Sequence, residues 1–166
     1  MPWLPDGGEF LHSWDPVRLS LQVQYAICGS FDLAYNGGGE PVQIRVISQR
    51  QAIPSRYLEQ IFQRLRRAGL IRSKRGPGGG YTLARPPSEI SLREIVEALE
   101  GPLSEALLMD APGNGPNPGF RPDFVWSALA ERLSEALAAT SLDSLCRQAA
   151  IADLPRANPD APMYFI

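Results

Sequence analysis

Ten cationic side chains fall between residues 41 and 85: Arg45, Arg50, Arg56, Arg64, Arg66, Arg67, Arg72, Lys74, Arg75 and Arg85, against one acid, Glu59. Nine of the ten are arginine. Its planar fork makes paired hydrogen bonds to a phosphate, or to the O6/N7 edge of guanine, that a lysine point charge cannot. The rest of the chain holds six basic and 17 acidic residues. The formal net charge of −2, which taken whole argues against a nucleic-acid partner, is therefore a segment at +9 and a remainder at −11. Inside the basic segment, Gly76-Pro77-Gly78-Gly79-Gly80 separates two short strand-like runs, Leu70–Arg75 and Tyr81–Leu83. A hairpin with that tip lacks Cβ atoms and lets its backbone come close to another surface, with Arg75 at its base as a minor-groove probe. Glu59 reads either as an acceptor for a cytosine amino group or as a dipole partner at a helix start.

Other chemistries find few candidates. The one histidine, His12, lies in the first sixteen residues, so no Ser/His/Asp set forms, and no phosphate-loop or metal-ligand spacing occurs. Two cysteines, Cys28 and Cys146, do not make a disulfide framework. Cys28 reads as a small core hydrophobe and Cys146 as an ordinary thiol. No apolar run approaches a membrane span and the N-terminus lacks a signal-peptide pattern, so a soluble, cytoplasmic protein of 166 residues is expected.

The elements that must position the basic segment are marked by 31 Pro and Gly residues, concentrated at 1–16, 36–41, 69–87, 101–122 and 155–162. Between them, Ser20–Tyr35 carries Ile27, Phe31 and Ala34 at helical spacing and is stopped by Asn36-Gly37-Gly38-Gly39. A second helix is expected up to Ala52. Pro54 opens a third over Ser55–Ala68, with Tyr57, Leu58, Ile61, Phe62 and Leu65 on one face. After the hairpin, Ser91-Leu92-Arg93-Glu94 is a capping box ahead of Ile95, Val96 and Leu99. A breaker-rich loop (111–122) precedes a helix over about Asp123–Ala139 with Val125, Leu129, Leu133 and Leu137 at i+4 spacing.

Three helices, a glycine-tipped hairpin and a further helix are the order of a winged helix-turn-helix, whose third helix enters the major groove. The fold expected is mainly α with a small β wing and a long dimerisation helix. VRLSLQVQYAI (17–27) and SRYLEQIFQRLRRAGLIRSKRGPGGGYTLARPPSEISLREIVEALEGPL (55–103) closely resemble the Rrf-two family of bacterial transcription regulators. VWSALAERLSEALAATSLDSL more loosely resembles the family's dimerisation helix. The resemblance implies a homodimer on a palindromic operator in double-stranded DNA. DNA contacts fall to Arg45, Ser55, Arg56, Tyr57, Gln60 and Arg64, and to Lys74, Arg75, Gly76, Pro77 and Gly78 of the wing. The chain divides into an extension (1–16), the winged domain (17–101), a dimerisation region (102–152, with the Val125/Leu129/Leu133/Leu137 stripe) and a tail (153–166).

Some features depart from the family pattern. Gln22 and Gln24 stand where a basic residue is usual, and Pro54 where a capping Ser is common. Val17-Arg18-Leu19-Ser20 matches the family's Met-x-Leu-Ser start after sixteen further residues, which makes Val17 an alternative initiator. The iron–sulphur branch carries three cysteines after the Glu-Gly-Pro-Leu segment; residues 103–145 have none, so no cofactor or metal is expected. The ending Met163-Tyr164-Phe165-Ile166 is similar to the Ile-terminated tails that insert into O-acetylserine sulfhydrylase. A cluster-less, CymR-like repressor of cysteine metabolism is thus the specific expectation. A redox- or iron–sulphur-responsive regulator and a tail-mediated interaction module are the alternatives.

Overall fold

The computed structural model describes residues 19–103 and 124–159. Helix α1 (Leu21–Asn36) starts at Ser20, whose hydroxyl accepts the Val23 N–H at 3.3 Å. Helix α2 (Ile44–Gln51) ends in a left-handed Ala52 (φ 52°, ψ 38°), and the chain turns through buried Ile53 into α3 (Ser55–Arg67). Pro54 sits at the N-cap of α3 rather than inside its first turn. Leu58, Ile61, Phe62 and Leu65 are fully covered. At about 1.5–3 kcal/mol per buried side chain, these four are what hold α3 in place, leaving its outer face free to be polar. Helix α3 passes close to α1 at Gly29, where a Cβ would lie 2.7 Å from the Phe62 ring.

Strands β1 (Ile71–Lys74) and β2 (Gly80–Leu83) pair antiparallel with Ile71 opposite Leu83 and Lys74 opposite Gly80. Val42 adds a single antiparallel bridge to Tyr81 through hydrogen bonds of 2.9 and 2.8 Å. It runs so close to Gly80 that a Cβ there would meet the Val42 backbone at 2.5 Å. Tyr81 also meets Phe62 edge-on, centroids 5.1 Å apart, so the hairpin is seated against α3 at its base. After a 3-10 turn (Pro87–Glu89), α4 (Leu92–Glu100) starts with the capping box Ser91/Glu94 formed in both directions and ends at Gly101 (φ 81°).

The C-terminal part holds two helices where one was expected. Helix α5 (Phe124–Ala138) breaks at residues 139–141, and α6 (Leu142–Ile151) begins with Ser141 accepting from the Ser144 N–H at 3.2 Å. The break is pinned to the start of α4 by Leu92 N–H to Thr140 O (2.8 Å) and Leu142 N–H to Ile90 O (2.9 Å). Leu142 and Cys146 enter the same core as α1, α3 and α4. Part of the segment read as a dimerisation region thus completes the core of the winged unit. The architecture is a winged helix-turn-helix: six helices and one two-stranded sheet among the described residues. No helix among them is long and apolar enough to cross a membrane.

Candidate nucleic-acid interface

The amphipathic split of α3 decides which side chains face outward. With Leu58, Ile61, Phe62 and Leu65 inside, Arg56, Tyr57, Glu59, Gln60, Gln63 and Arg67 are exposed. Tyr57 is 58% accessible, and with Gln60 it lines a groove of about 370 Å³ between α1 and α3 that also takes in Leu21, Gln22 and Tyr25. The start of α3 is fixed from below. Ser55 Oγ donates to Ser48 Oγ (2.9 Å), Ser48 Oγ donates to Ile53 O (2.6 Å), and Ile53 N–H returns to Ser48 O (3.0 Å). Ser55 therefore spends its hydroxyl on the turn that aims the helix.

Beside α3 the wing presents Arg72, Lys74, Arg75, Gly76, Pro77 and Gly78, all exposed. Its tip closes with Gly79 N–H to Gly76 O at 2.9 Å. Gly76 (φ 88°) and Gly78 (φ 69°) hold left-handed backbone that an L side chain rarely adopts, and nothing lies within 4 Å of where their Cβ atoms would stand. Arg66 Nη1 donates to Ser73 Oγ at 3.0 Å, tying the end of α3 to the wing. Neither Arg66 nor Arg72 is among the contact residues expected from the sequence. The alternation of Arg72 and Lys74 along β1 was the signal for the latter.

The structure sorts the ten cations. Arg50 faces the buried carboxylate of Asp32 at 3.4 Å, Arg85 pairs with Glu94 at 2.7 Å, and Arg64 donates to Gln22 Oε1 (3.0 Å) and to the Leu99 carbonyl. Arg64 is thus a clamp from α3 to α1 and α4, and from there it also lines the groove with Tyr57 and Gln60. Among the described residues, Arg66 is exposed and makes no ion pair but is engaged by Ser73 Oγ, whereas Arg45, Arg56, Arg67, Arg72, Lys74 and Arg75 are exposed and make neither an ion pair nor a side-chain hydrogen bond. They lie on α2, α3 and the wing, the surfaces a winged helix-turn-helix turns to a duplex. Unneutralised cations at this density supply the counterion-release affinity for a phosphate backbone.

On α5, Leu129 and Leu133 are 50% and 37% exposed, Val125 and Leu137 are half-buried, and Ala130 is covered from the α4 side. Phe124 and Trp126 add further exposed apolar surface. The segment after α6 lies against α1: Tyr35 OH donates to Leu154 O (2.8 Å), and Ala157 N–H to Asn36 Oδ1 (2.8 Å). Met163, Tyr164, Phe165 and Ile166 lie outside the described residues.

The thiols have the environment of packing groups. Burial raises the Cys28 thiol above its ordinary value. Burial, with Asp143 nearby and against the pull of Arg156, pushes Cys146 up to about 12. Thiolate ligation of an iron–sulphur cluster requires several soft donors together. This chain has two cysteines and one histidine in all, on α1, on α6 and at position 12. No group of three His, Cys, Asp or Glu that could hold a metal occurs among the described residues, and this donor set does not fit a cluster.

The family profile described as "Rrf2: Iron-dependent Transcriptional regulator" matches residues 19–148. The HTH-type transcriptional regulator IscR of Xenorhabdus nematophila is 33% identical over 138 residues, 83% of this chain and 84% of that protein. Among solved structures, T. potens IscR superposes with a TM-score of 0.68 at 32% identity, covering 85% of this chain and 94% of that one. CymR, described as the global cysteine regulator of B. subtilis, gives a TM-score of 0.65 at 30% identity, covering 80% and 98%.

Proposed function

Because the chain belongs to the Rrf2 family of transcriptional regulators, we propose that it is a homodimeric repressor that reads a palindromic operator with α3 and the wing. The carrying observation is the set of six exposed, unpaired cations on α2, α3 and the wing. Tyr57 and Gln60 face the major groove and select bases. Arg45, Arg56, Lys74 and Arg75 meet phosphates or groove edges, and Gly76, Pro77 and Gly78 let the wing backbone approach. Ser55 and Arg64 belong to this reading as positioning residues, since their side chains are engaged within the fold. The half-exposed Leu129 and Leu133 on α5, with Val125 and Leu137 beside them, form the dimer seam. A two-fold dimer then places its two recognition helices about 34–36 Å apart, one turn of DNA. The test is sequencing of genomic fragments retained by the native protein: inverted half-sites at that spacing are expected, and retention without any common site refutes the reading.

The regulated process we propose is cysteine or sulphur metabolism. The support is the likeness to CymR, the lack of a cluster donor set and the Met163-Tyr164-Phe165-Ile166 ending. Those four residues have the chemistry of an extended apolar peptide that a partner's pocket captures. O-acetylserine sulfhydrylase is the partner proposed. Deletion of Ile166 should abolish its co-purification with the full chain, and equal recovery with both chains refutes the tail's role.

A further inference from the structure

A cavity of about 410 Å³ lies on the side of α1 where the segment after α6 packs, walled by Phe31, Tyr35, Arg50, Gln51, Leu154 and Arg156. Its apolar wall is built: the Phe31 and Tyr35 rings stack at 5.0 Å. Its polar wall is also held in place. Arg156 sits over the Tyr35 ring, 5.6 Å from the centroid, and its Nε donates to Tyr35 O at 3.2 Å. Arg50 is held by Asp32, which is wholly buried and also accepts from Asn36 and Gln51 at 3.0 Å each.

The charges do not balance. Among the described residues, two guanidiniums line the cavity and one carboxylate, Asp32, answers them, leaving one positive charge. The donors do not balance either. Arg50 Nε and Arg156 Nη2, together with the Asp32 Oδ2 acceptor that faces Arg50, are shielded from solvent without a hydrogen-bond partner among the described residues. Buried donors left unmade are costly, and with Asp32 Oδ2 the one open acceptor against two such donors, the site is short of one acceptor as well as one negative charge. A carboxylate supplies one negative charge and planar acceptors matched to guanidinium. A phosphate would overshoot the single excess charge and leave the aromatic wall unused. The volume lies in the range of small-ligand pockets.

We propose that this cavity binds a small organic monocarboxylate with an apolar body, its carboxylate on Arg50 and Arg156 and its body against Phe31 and Tyr35. Arg50 lies in the last turn of α2, immediately before the Ala52–Pro54 turn into α3, so an occupant here touches the element that carries the recognition helix. The site is distinct from the DNA-facing surface, and its test needs no DNA. Benzoate is the probe and benzamide, its neutral isostere, the control, titrated by calorimetry into the full-length protein. Benzoate should bind saturably, at least about tenfold more tightly than benzamide and about tenfold more tightly than to Arg156→Gln, the loss expected for one charge-assisted hydrogen bond. Arg156 lies beyond the last helix, so that variant keeps the core. The side-chain NMR signals of Gln51 and the Arg50 and Arg156 Nε–H groups should shift with benzoate. Equal affinity for the two probes, unchanged benzoate binding by Arg156→Gln, or shifts confined to the Tyr57–Gln60 groove would overturn the proposal.

Discussion

Removing the two cations at the base of the wing gives a quantitative test of the DNA-facing surface. Lys74 and Arg75 are exposed, make no ion pair among the described residues and sit just before the glycine tip. Their loss therefore deletes charge without opening the core. Six free cations per protomer set an upper bound: a homodimer engaging all of them would show a slope of log K against log salt near −11, at about −0.9 per neutralised phosphate. The double variant Lys74→Ala/Arg75→Ala removes four charges per dimer, so the slope should become shallower by about 3.6. Between about 50 and 200 mM salt the wild type should then lose roughly 150-fold more affinity than the variant. Fluorescence anisotropy on an operator-bearing duplex reads both slopes, and circular dichroism checks that the variant is folded. A slope within about one unit of wild type would show that the wing does not meet the backbone, and the surface assigned to DNA would be wrong. Gln60→Ala, by contrast, should leave the slope nearly unchanged and alter the preferred base at one position of each half-site.

Gly29→Val should destabilise the fold by about 1–3 kcal/mol, because a Cβ at 2.7 Å from Phe62 overpacks the α1–α3 crossing; urea unfolding reads the shift in midpoint, and an unchanged midpoint would refute the close approach. Burial acts to raise the Glu94 carboxyl, but hydrogen bonds from the Ser91 backbone, Arg85 and the Ser91 hydroxyl outweigh it and hold it below the ordinary carboxylate value. Its folded value being depressed, the stability it adds is complete above the unfolded value of about 4.3 and is lost as pH falls through the folded value. Glu94→Gln should therefore lose less stability than wild type between about pH 5 and 3, followed by thermal melts across that range; parallel pH profiles would count against the pairing. With its thiol pushed up to about 12 and its side chain in the core, Cys146 should resist iodoacetamide at pH 8 until the protein is unfolded. Prompt alkylation of the native chain, read by mass spectrometry, would restore a redox role.

Patterns that repeat along one element were legible in the sequence. The capping box at Ser91/Glu94 and the stop at Gly101 need only neighbouring residues and stand where the spacing put them. So does the inner face of α3 except for Tyr57, which the spacing grouped with Leu58, Ile61, Phe62 and Leu65 but which is exposed. The hairpin strands differ from the expected runs by a residue at one end or both. What the spacing did not show depends on distant partners. The expected end at Ala139 lies one residue beyond the observed Ala138, but the second helix that follows it was not read from the sequence. The start of α6 is set by Ser141, a capping residue whose neighbours Thr140 and Leu142 bond the chain just before α4. Likewise Gln22 reads as a missing phosphate contact, yet it accepts from Arg64. A basic residue at that position would meet the guanidinium of Arg64 instead.

The same reasoning corrects the charge count that first singled out the segment. A tally treats every arginine as available, but availability is decided by partners far away in the chain. Asp32 on α1 takes Arg50, Glu94 on α4 takes Arg85, and the Leu99 carbonyl takes Arg64. Each of these three guanidiniums joins two elements of the fold and is spent there. The remaining free cations cluster on α2, α3 and the wing because the apolar faces of those elements point inward, leaving only their polar faces for solvent. The acidic excess lies outside residues 41–85, so long-range repulsion of phosphate acts there while attraction is confined to one face. Polarity of charge, rather than its total, therefore orients the molecule on a duplex.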